Sequence, residues 1–439
     1  MRSRLTVTLG HAARLAARLR GGGSGGTAFP GLVMERTDPG FLARTLNRLP
    51  RGVIVVSGTN GKTTTTKMVV QLLREQGLKV FTNRTGSNFV RGVLASLLTE
   101  VDAAGRLDAD IAVLELDEAH AVHFVARVRP RACLLLNVMR DQLDRFGEID
   151  YTASLLHSIA KATSDVVVLN GDDPRLAAPA FLEGVSARVV SFGTGEDLRS
   201  LFLSDDDLRT GQTSPRAHQD ESQIPGPRVT LEAIDGQRAT VRVDGASHEV
   251  DFAIPGVHNL LNACAALGVV LEVLGEDADL SGLLTTLGTV QAAFGRGEVL
   301  TLDGRPVQLS LVKNPAGFRM GLLSAAAQAQ SGEVVVVAIN DEYADGRDMS
   351  WLWDVDFAAL RPGGVAVVTG VRAWDMALRL RYDDVEVTDV EPDLRKAVAL
   401  MRRVAADTDR PMRIFTTYTA MLALRSILGE MTDVEEVMS

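Results

Sequence analysis

Residues 51–65 read Arg-Gly-Val-Ile-Val-Val-Ser-Gly-Thr-Asn-Gly-Lys-Thr-Thr-Thr, and this stretch decides the fold. The run RGVIVVS is short, apolar and β-branched, which predicts a strand buried on both faces. The run KTTTTKMVVQLLREQG, 62–77, predicts a helix that ends at Gly77. Between the two lie Gly58, Thr59, Asn60 and Gly61. A strand that enters a glycine turn and leaves as a helix aims backbone N–H groups at one point, which is what a phosphate needs. Gly58 and Gly61 let the backbone approach closely. Lys62 can reach β- and γ-phosphates, and the Thr63 hydroxyl can ligate Mg²⁺. The usual GxxxxGK[ST] spacing is not met: five residues before Gly61 stands Val56, so this loop is two residues shorter.

The same alternation continues outward. KVFTN, DIAVLELD, ACLLLNV and DVVVLN read as further strands, with helical runs between several of them. Near-continuous apolar strands separated by helices predict an α/β fold with a mainly parallel sheet covered on both faces. Residues 228–254 differ: RVTLEAIDG, RATVRVDG and HEVDFAI alternate and are punctuated by Asp-Gly, which predicts a small antiparallel meander. Helices are expected near 258–274 and 280–292. Residues 204–227 are polar, contain proline and hold few apolar side chains, so they read as a surface insertion. A second α/β stretch begins near 296, with VVVVAIN, GGVAVVTG, DVEVTDV and PMRIFTT as strands. The expected division is 1–50 as a lead-in, 51–295 as the central ATP-binding domain and 296–439 as a smaller Rossmann-like C-terminal domain.

Composition removes several classes. The 439 residues carry 46 basic and 56 acidic side chains, a net charge of −10, which argues against a nucleic-acid binder. The cysteines, Cys133 and Cys264, sit in the apolar contexts ACLLLNV and NACAALG, where they read as small buried hydrophobes rather than nucleophiles or a disulfide scaffold. No run of eighteen apolar residues is present, so no membrane span is expected. The opening MRSRLTVTLGHAARLAARLR is too interrupted by arginine for a secretory signal. It reads as a basic amphipathic helix with Leu5, Leu9, Ala12, Ala16 and Leu19 on one stripe, and that stripe docks either on the protein or on a membrane surface. The Gly-rich GGGSGG at 21–26 follows it.

GTNGKTTT resembles the short phosphate loop of the Mur ligase family, shared with folylpolyglutamate synthase, and other landmarks follow in order. Glu115 in LELDE matches the acidic strand-end residue that binds Mg²⁺ with Thr63. NVMRDQLDRFG resembles the segment in which Asn137, Asp141 and Asp144 surround nucleotide and metal. LNGDDP, with Asp172 and Asp173, matches the next strand end. PGVHNLLNACAA matches the helix start at which His258 and Asn259 contact nucleotide, with Asn262 one turn on. Gly295-Arg296 before Glu298 matches the element whose arginine contacts nucleotide. The resemblance thus implies an ATP site made by Gly58, Thr59, Asn60, Gly61, Lys62, Thr63, Thr64, Asn137, His258, Asn259 and Arg296. Several of these have ordinary alternatives: a solvated strand end at Glu115, helix ion pairs at Asp141 and Asp144, turn residues at Asp172 and Asp173.

The second half departs from the amino-acid-adding ligases of that family, which carry D-Y-A-H-N-P where this chain has LVKNPAG, 311–317. KNPAG together with DGRD-x-SW-x-WD-x-DF, inside residues 340–357, resembles the MurT branch. That resemblance implies ATP- and Mg²⁺-dependent amidation of the D-glutamate α-carboxylate in the lipid II stem peptide. The route is an acyl phosphate, and the ammonia comes from a GatD-like glutaminase that forms a heterodimer with this chain. It also implies a cytoplasmic setting at the inner membrane face. An aspartate of this loop would complete the partner's Cys–His pair by orienting the imidazole. Asp348 is the first choice, with Asp345 and Asp354 as alternates, and Lys62 serves the phosphoryl transfer. Some MurT ligases carry a four-cysteine zinc ribbon; residues 204–227 hold no cysteine, so no zinc is expected. Two other readings stand beside this one: a free-standing Mur-type amino-acid ligase and a non-catalytic ATP-binding scaffold. The intact Lys62, Thr63 and Glu115 argue against the scaffold.

Overall fold

The computed structural model describes residues 2–19, 29–83, 88–140, 149–204, 207, 224, 226–291, 296–328, 332–408 and 410–430. These form two compact units, one built on a nine-stranded sheet and one on a six-stranded sheet. The polar stretch 204–227 lies almost wholly outside the described residues.

The first unit is organised around β1 (Val53–Ser57), every residue of which is buried. Its sheet runs β2 (Val80–Thr82), β3 (Ile111–Glu115), β1, β4 (Ala132–Leu135), β5 (Val166–Asn170), β6 (Arg188–Thr194), β7 (Val229–Asp235), β8 (Arg238–Val243), β9 (Ala246–Asp251). Strands β2 to β7 pair in parallel; β7, β8 and β9 pair antiparallel. The meander is therefore an extension of the central sheet. Its second turn has Asp244 at φ 48° and Gly245 at φ 90°, the left-handed pair that suits a tight hairpin. β1 lies between β3 and β4, so the order in which successive strands are added to the sheet reverses beside it, and ligands of open parallel sheets collect outside the carboxyl ends of such strands. Helix α4 (Lys62–Glu75) leaves that end of β1.

Helices α1 (Arg2–Leu19), α2 (Phe29–Thr37) and α5 (Val90–Glu100) pack together, and α3 (Phe41–Leu46) adds Phe41, Leu42 and Leu46 to the same hydrophobic core. The face that α1 buries is not the expected leucine stripe. Thr6, Val7, Gly10 and Ala13 are buried, while Leu5, Leu9, Ala12, Ala16 and Leu19 are exposed. The reason is steric: a Cβ on Gly10 would lie 2.8 Å from Leu98 Cδ1 and 3.1 Å from Met34 Cγ, so the helix seats through its smallest side chains.

The helix Val257–Leu274 is long and apolar enough to cross a membrane, but nearly all of it is buried in this unit. Its Glu272 accepts from Arg228 at 2.5 Å and pairs with Arg188, which identifies it as a core helix with a satisfied charge. Cys133 and Cys264 are both buried, and burial pushes each thiol up to about 12.

The second unit has strand order β10 (Arg296–Leu302), β11 (Arg305–Leu311), β15 (Met412–Thr416), β12 (Val334–Ala338), β13 (Val365–Thr369), β14 (Val387–Glu391). Only β10 and β11 pair antiparallel, through a hairpin with Asp303 at φ 49° and Gly304 at φ 80°. The remaining neighbours are parallel. Here the reversal falls at β12, whose neighbours are β15 and β13, and the acidic loop leaves its carboxyl end.

Asp173 ties β4 to the turn after β5. Its carboxylate accepts from the backbone N–H of Val138 (2.6 Å), Arg175 (3.0 Å) and Leu176 (3.2 Å). Burial raises its pKa to about 6, and those three N–H donors oppose the rise only partly. The folded state therefore keeps its proton to higher pH than the unfolded chain does. This group's contribution to stability should fall as pH rises from about 4 to about 6, the reverse of a salt-bridged carboxylate. Denaturant titrations at pH 4, 5, 6 and 7 should show that slope in the native chain and a flatter one in Asp173→Asn.

Candidate functional site

Each part of the phosphate loop is placed by a named constraint. Gly58 adopts φ 131° and Gly61 φ 87°, both in the region that disfavours side chains. A Cβ on Gly58 would lie 3.0 Å from the Asn137 nitrogen, and one on Gly61 would lie 2.5 Å from Asn262 Oδ1. The loop is therefore bare backbone held tightly from two sides. Asn137, just past β4, is its clamp: Asn137 Oδ1 accepts from Asn60 N at 2.8 Å, Asn137 Nδ2 donates to Asn60 O at 3.1 Å, and Asn137 O accepts from Thr59 N at 3.0 Å. Asn259 and Asn262 are both buried, with Asn262 Nδ2 donating to Asn259 Oδ1 at 3.4 Å. Those two side chains thus stand together behind Gly61.

Lys62, the first residue of α4, is 7% exposed. Its ammonium donates to Gly58 O at 2.5 Å, Thr59 O at 3.4 Å and Glu118 Oε2 at 3.2 Å. Glu118 opens α6 (Glu118–Val125) and is 2% exposed. This carboxylate escaped the sequence analysis. Its only signal is a second glutamate three residues after Glu115, where an acid in a helix's first turn is the common explanation. Thr63 Oγ1 donates to Glu115 Oε1 at 3.0 Å. Asn83 holds Glu115 in place: Asn83 Oδ1 accepts from Glu115 N and Asn83 Nδ2 donates to Glu115 O, each at 2.9 Å. Thr64 is buried within α4.

The geometry suits a nucleotide and a hard cation. A bare glycine loop at a helix N-terminus offers N–H groups to phosphate oxygens. Thr63 and Glu115 bring a hydroxyl and one carboxylate together, a donor set matching Mg²⁺, which usually takes one or two carboxylates and completes its shell with phosphate oxygens and water. Among the described residues no cluster of three His, Cys, Asp or Glu side chains is poised to hold a metal by itself. His258 and Asn259 occupy the first turn of Val257–Leu274, His258 partly buried. Arg296 begins β10, where its backbone pairs with Ser310. Asp141 and Asp144 lie outside the described residues.

In the second unit the acidic loop separates its aspartates by environment. Asp345 is 2% exposed; its carboxylate accepts from Thr419 N at 2.8 Å, Thr419 Oγ1 at 2.5 Å and Glu342 N at 3.1 Å. It fastens the loop to the start of the helix Tyr418–Gly429. Asn340 works beside it, donating to Thr419 Oγ1 at 3.1 Å and accepting from Val371 N at 3.0 Å. Asp348 is exposed and accepts from Ser350 N at 2.9 Å. Hydrogen bonds from the Ser350 side chain and backbone hold its carboxyl below the usual range, so it is anionic at neutral pH. It lines a cleft of about 340 Å³ with Arg347, Ser350, Trp353, Arg372 and Asp375. Asp354 is exposed at the end of the short turn Ser350–Asp354. Trp351 is buried against Phe318, whereas Trp353 is 48% exposed and stands edge-on to Tyr382 at 5.1 Å.

Removing Glu118 would take from the buried Lys62 ammonium the carboxylate that pairs with it at 3.2 Å. Glu118→Ala should lower stability by about 3–5 kcal/mol, the usual result of breaking one side of a buried pair. Denaturation midpoints check this, and a value near zero would mean that Lys62 simply moves to water.

Comparison with known proteins fits both halves. Residues 56–270 match the Mur ligase middle domain, and residues 311–421 match the MurT ligase C-terminal domain. A curated relative from Streptococcus pneumoniae, the MurT subunit of lipid II isoglutaminyl synthase (glutamine-hydrolyzing), is 29% identical, with 94% of this chain and 95% of that protein aligned. Among solved structures, MurF from Acinetobacter baumannii superposes with TM-score 0.67 at 18% identity, covering 91% of this chain and 80% of that one. MurF ligase from Thermotoga maritima, in complex with ADP, gives TM-score 0.65 at 18% identity, covering 91% and 84%. With its phosphate loop, its sheet order and these matches to both halves, the chain belongs to the Mur ligase family of ATP-dependent ligases, in the MurT branch.

Proposed function

We propose that this chain is the synthetase subunit of a lipid II isoglutaminyl synthase, amidating the D-glutamate α-carboxylate of the stem peptide to D-isoglutamine in peptidoglycan synthesis. The observation that carries this reading is the pairing of an intact phosphate loop with a MurT-type acidic loop that exposes Asp348. The α-carboxylate oxygen attacks the γ-phosphorus of ATP and ADP leaves, giving an acyl phosphate. Ammonia then attacks the carbonyl carbon, phosphate departs with the bonding pair, and the nitrogen sheds a proton. Such transfers are catalysed by positioning and charge stabilisation more than by covalent groups. The loop N–H groups would hold the phosphates, and Lys62 would turn its ammonium toward the transferred phosphoryl group. Thr63 and Glu115 would hold Mg²⁺, which neutralises phosphate charge when bound.

Ammonia must come from elsewhere, since both thiols of this chain are buried and held protonated. A GatD-like glutaminase in a heterodimer would supply it, working at the inner face of the cytoplasmic membrane where lipid II is presented. Of the three candidate aspartates, Asp345 is engaged internally, and the exposed, anionic Asp348 best suits a carboxylate that orients another chain's histidine. The exposed Trp353, Trp374 and Tyr382 near that loop are the kind of side chains that anchor protein interfaces.

Mass spectrometry of lipid II incubated with ATP, Mg²⁺ and a nitrogen source tests the reading. The native chain should convert carboxylate to amide with ammonium alone, and with glutamine only when the glutaminase is present. Incorporation of an amino acid instead would establish the free-standing ligase. Lys62→Ala should abolish amidation with either nitrogen source. Asp348→Ala should keep ammonium-driven turnover and lose glutamine-driven turnover by about 10⁴-fold, the scale seen when a triad aspartate is removed. Equal losses with both sources would exclude Asp348 from that role.

A further inference from the structure

The outward face of α1 has no counterpart in the chemistry above. Leu5 is 62% exposed, Leu9 36%, Leu15 60% and Leu19 80%, with Ala12 and Ala16 exposed between them. At 100° per residue Leu5, Leu9, Ala12, Ala16 and Leu19 share one stripe, opposite the buried Val7, Gly10 and Ala13 that seat the helix. Arginines border the stripe: Arg2 on one flank and Arg4 on the other, both exposed. Residues 1–34 contain five arginines and no acidic residue, in a chain whose net charge is −10. Helix α1 thus concentrates positive charge and exposed leucine in one place on an otherwise acidic protein.

We propose that α1 is a membrane-docking element that lies flat on an anionic phospholipid surface, its leucine stripe sunk among the acyl-chain ends and its arginines on lipid phosphates. A helix with an apolar stripe flanked by arginine is built for that interface, and a polar or acidic protein partner would leave either the leucines or the arginines unmatched. The second face, fixed to Met34 and Leu98 through Gly10, makes the docking rigid: the rest of the unit is carried at a set distance from the bilayer. This deepens the membrane setting of the proposed function, and it would give a lipid-linked substrate a short approach.

The test is co-sedimentation of the full chain with vesicles of phosphatidylglycerol and phosphatidylcholine, against vesicles of phosphatidylcholine alone. No nucleotide, glutaminase or lipid-linked substrate is present, so failure to bind would leave the amidation reading intact, and failure of amidation would leave this one intact. The native chain should pellet with anionic vesicles, and less so in 1 M salt, where the screening length falls to about 3 Å. Leu5→Ser/Leu9→Ser/Leu19→Ser, all on the solvent side, should keep the native Tm and bind at least ten-fold more weakly. Arg2→Glu/Arg4→Glu should bind about twenty-fold more weakly or worse, taking each surface arginine as about five-fold. Equal pelleting with both vesicles, no pelleting with either, or binding unchanged in the triple variant would overturn the proposal. So would a dimer of the native chain that the triple variant dissolves without any lipid binding.

Discussion

A buried ammonium is costly unless its surroundings are arranged for it, and the first unit is arranged around one. Lys62 places its charge beneath the glycine loop, among two loop carbonyls and the Glu118 carboxylate. Three elements meet there. β1 delivers the loop, β3 leads through Glu115 to α6 and so to Glu118, and β4 leads to Asn137, which clamps the loop by side chain and backbone. Parallel pairing of β1 with both β3 and β4 puts all three strand ends on the same edge, so sheet topology creates the pocket for the charge. The same pairing brings Asn137 to the short loop, which it ties down from outside through Asn60 and Thr59.

The second unit solves a similar positioning problem with neutral partners. Asp345 and Asn340 gather the ends of β12, β13 and β15 through Thr419 and Val371, and the loop they fix carries Asp348 outward. Two aspartates three residues apart therefore do opposite things. One is consumed by backbone and hydroxyl donors and cannot reach another molecule; the other keeps one hydrogen-bonded oxygen on Ser350 and a face to solvent. Residue type alone could not separate them, because both are acids in one polar run after a strand, and only the position of Thr419, far along the chain, decides.

The parts legible in the sequence are those fixed by local rules. The β1 run, the glycine loop, the long apolar helix and the Asp-Gly meander each carry their signal within about twenty residues. What was missed has distant causes. The hairpin of β10 and β11 is the exception: its Asp-Gly at 303–304 is as clear and as local as those of the meander, although no strand was expected on either side of it. β6, by contrast, has an exposed first residue and a polar Ser191, and it becomes a strand by pairing between β5 and β7. Glu118 gained its meaning only when folding brought Lys62 to it across 56 positions of chain.

Helix α1 shows the sharpest conflict between local pattern and packing. Periodicity picks the stripe with the largest side chains as the buried one, since burying leucine returns more free energy than burying glycine or alanine. That preference holds only when the receiving surface has room. Here Leu98 and Met34 come so close that a single Cβ at position 10 would collide, and the chain accepts loss of the leucine burial in exchange for a close helix contact. Five arginines and no acid in the first 34 residues keep such a surface soluble while giving it a preference for negative partners. An apolar stripe left outside by steric necessity alone is a liability in water, whereas one edged with arginine has the chemistry of a helix that lies in an anionic lipid interface.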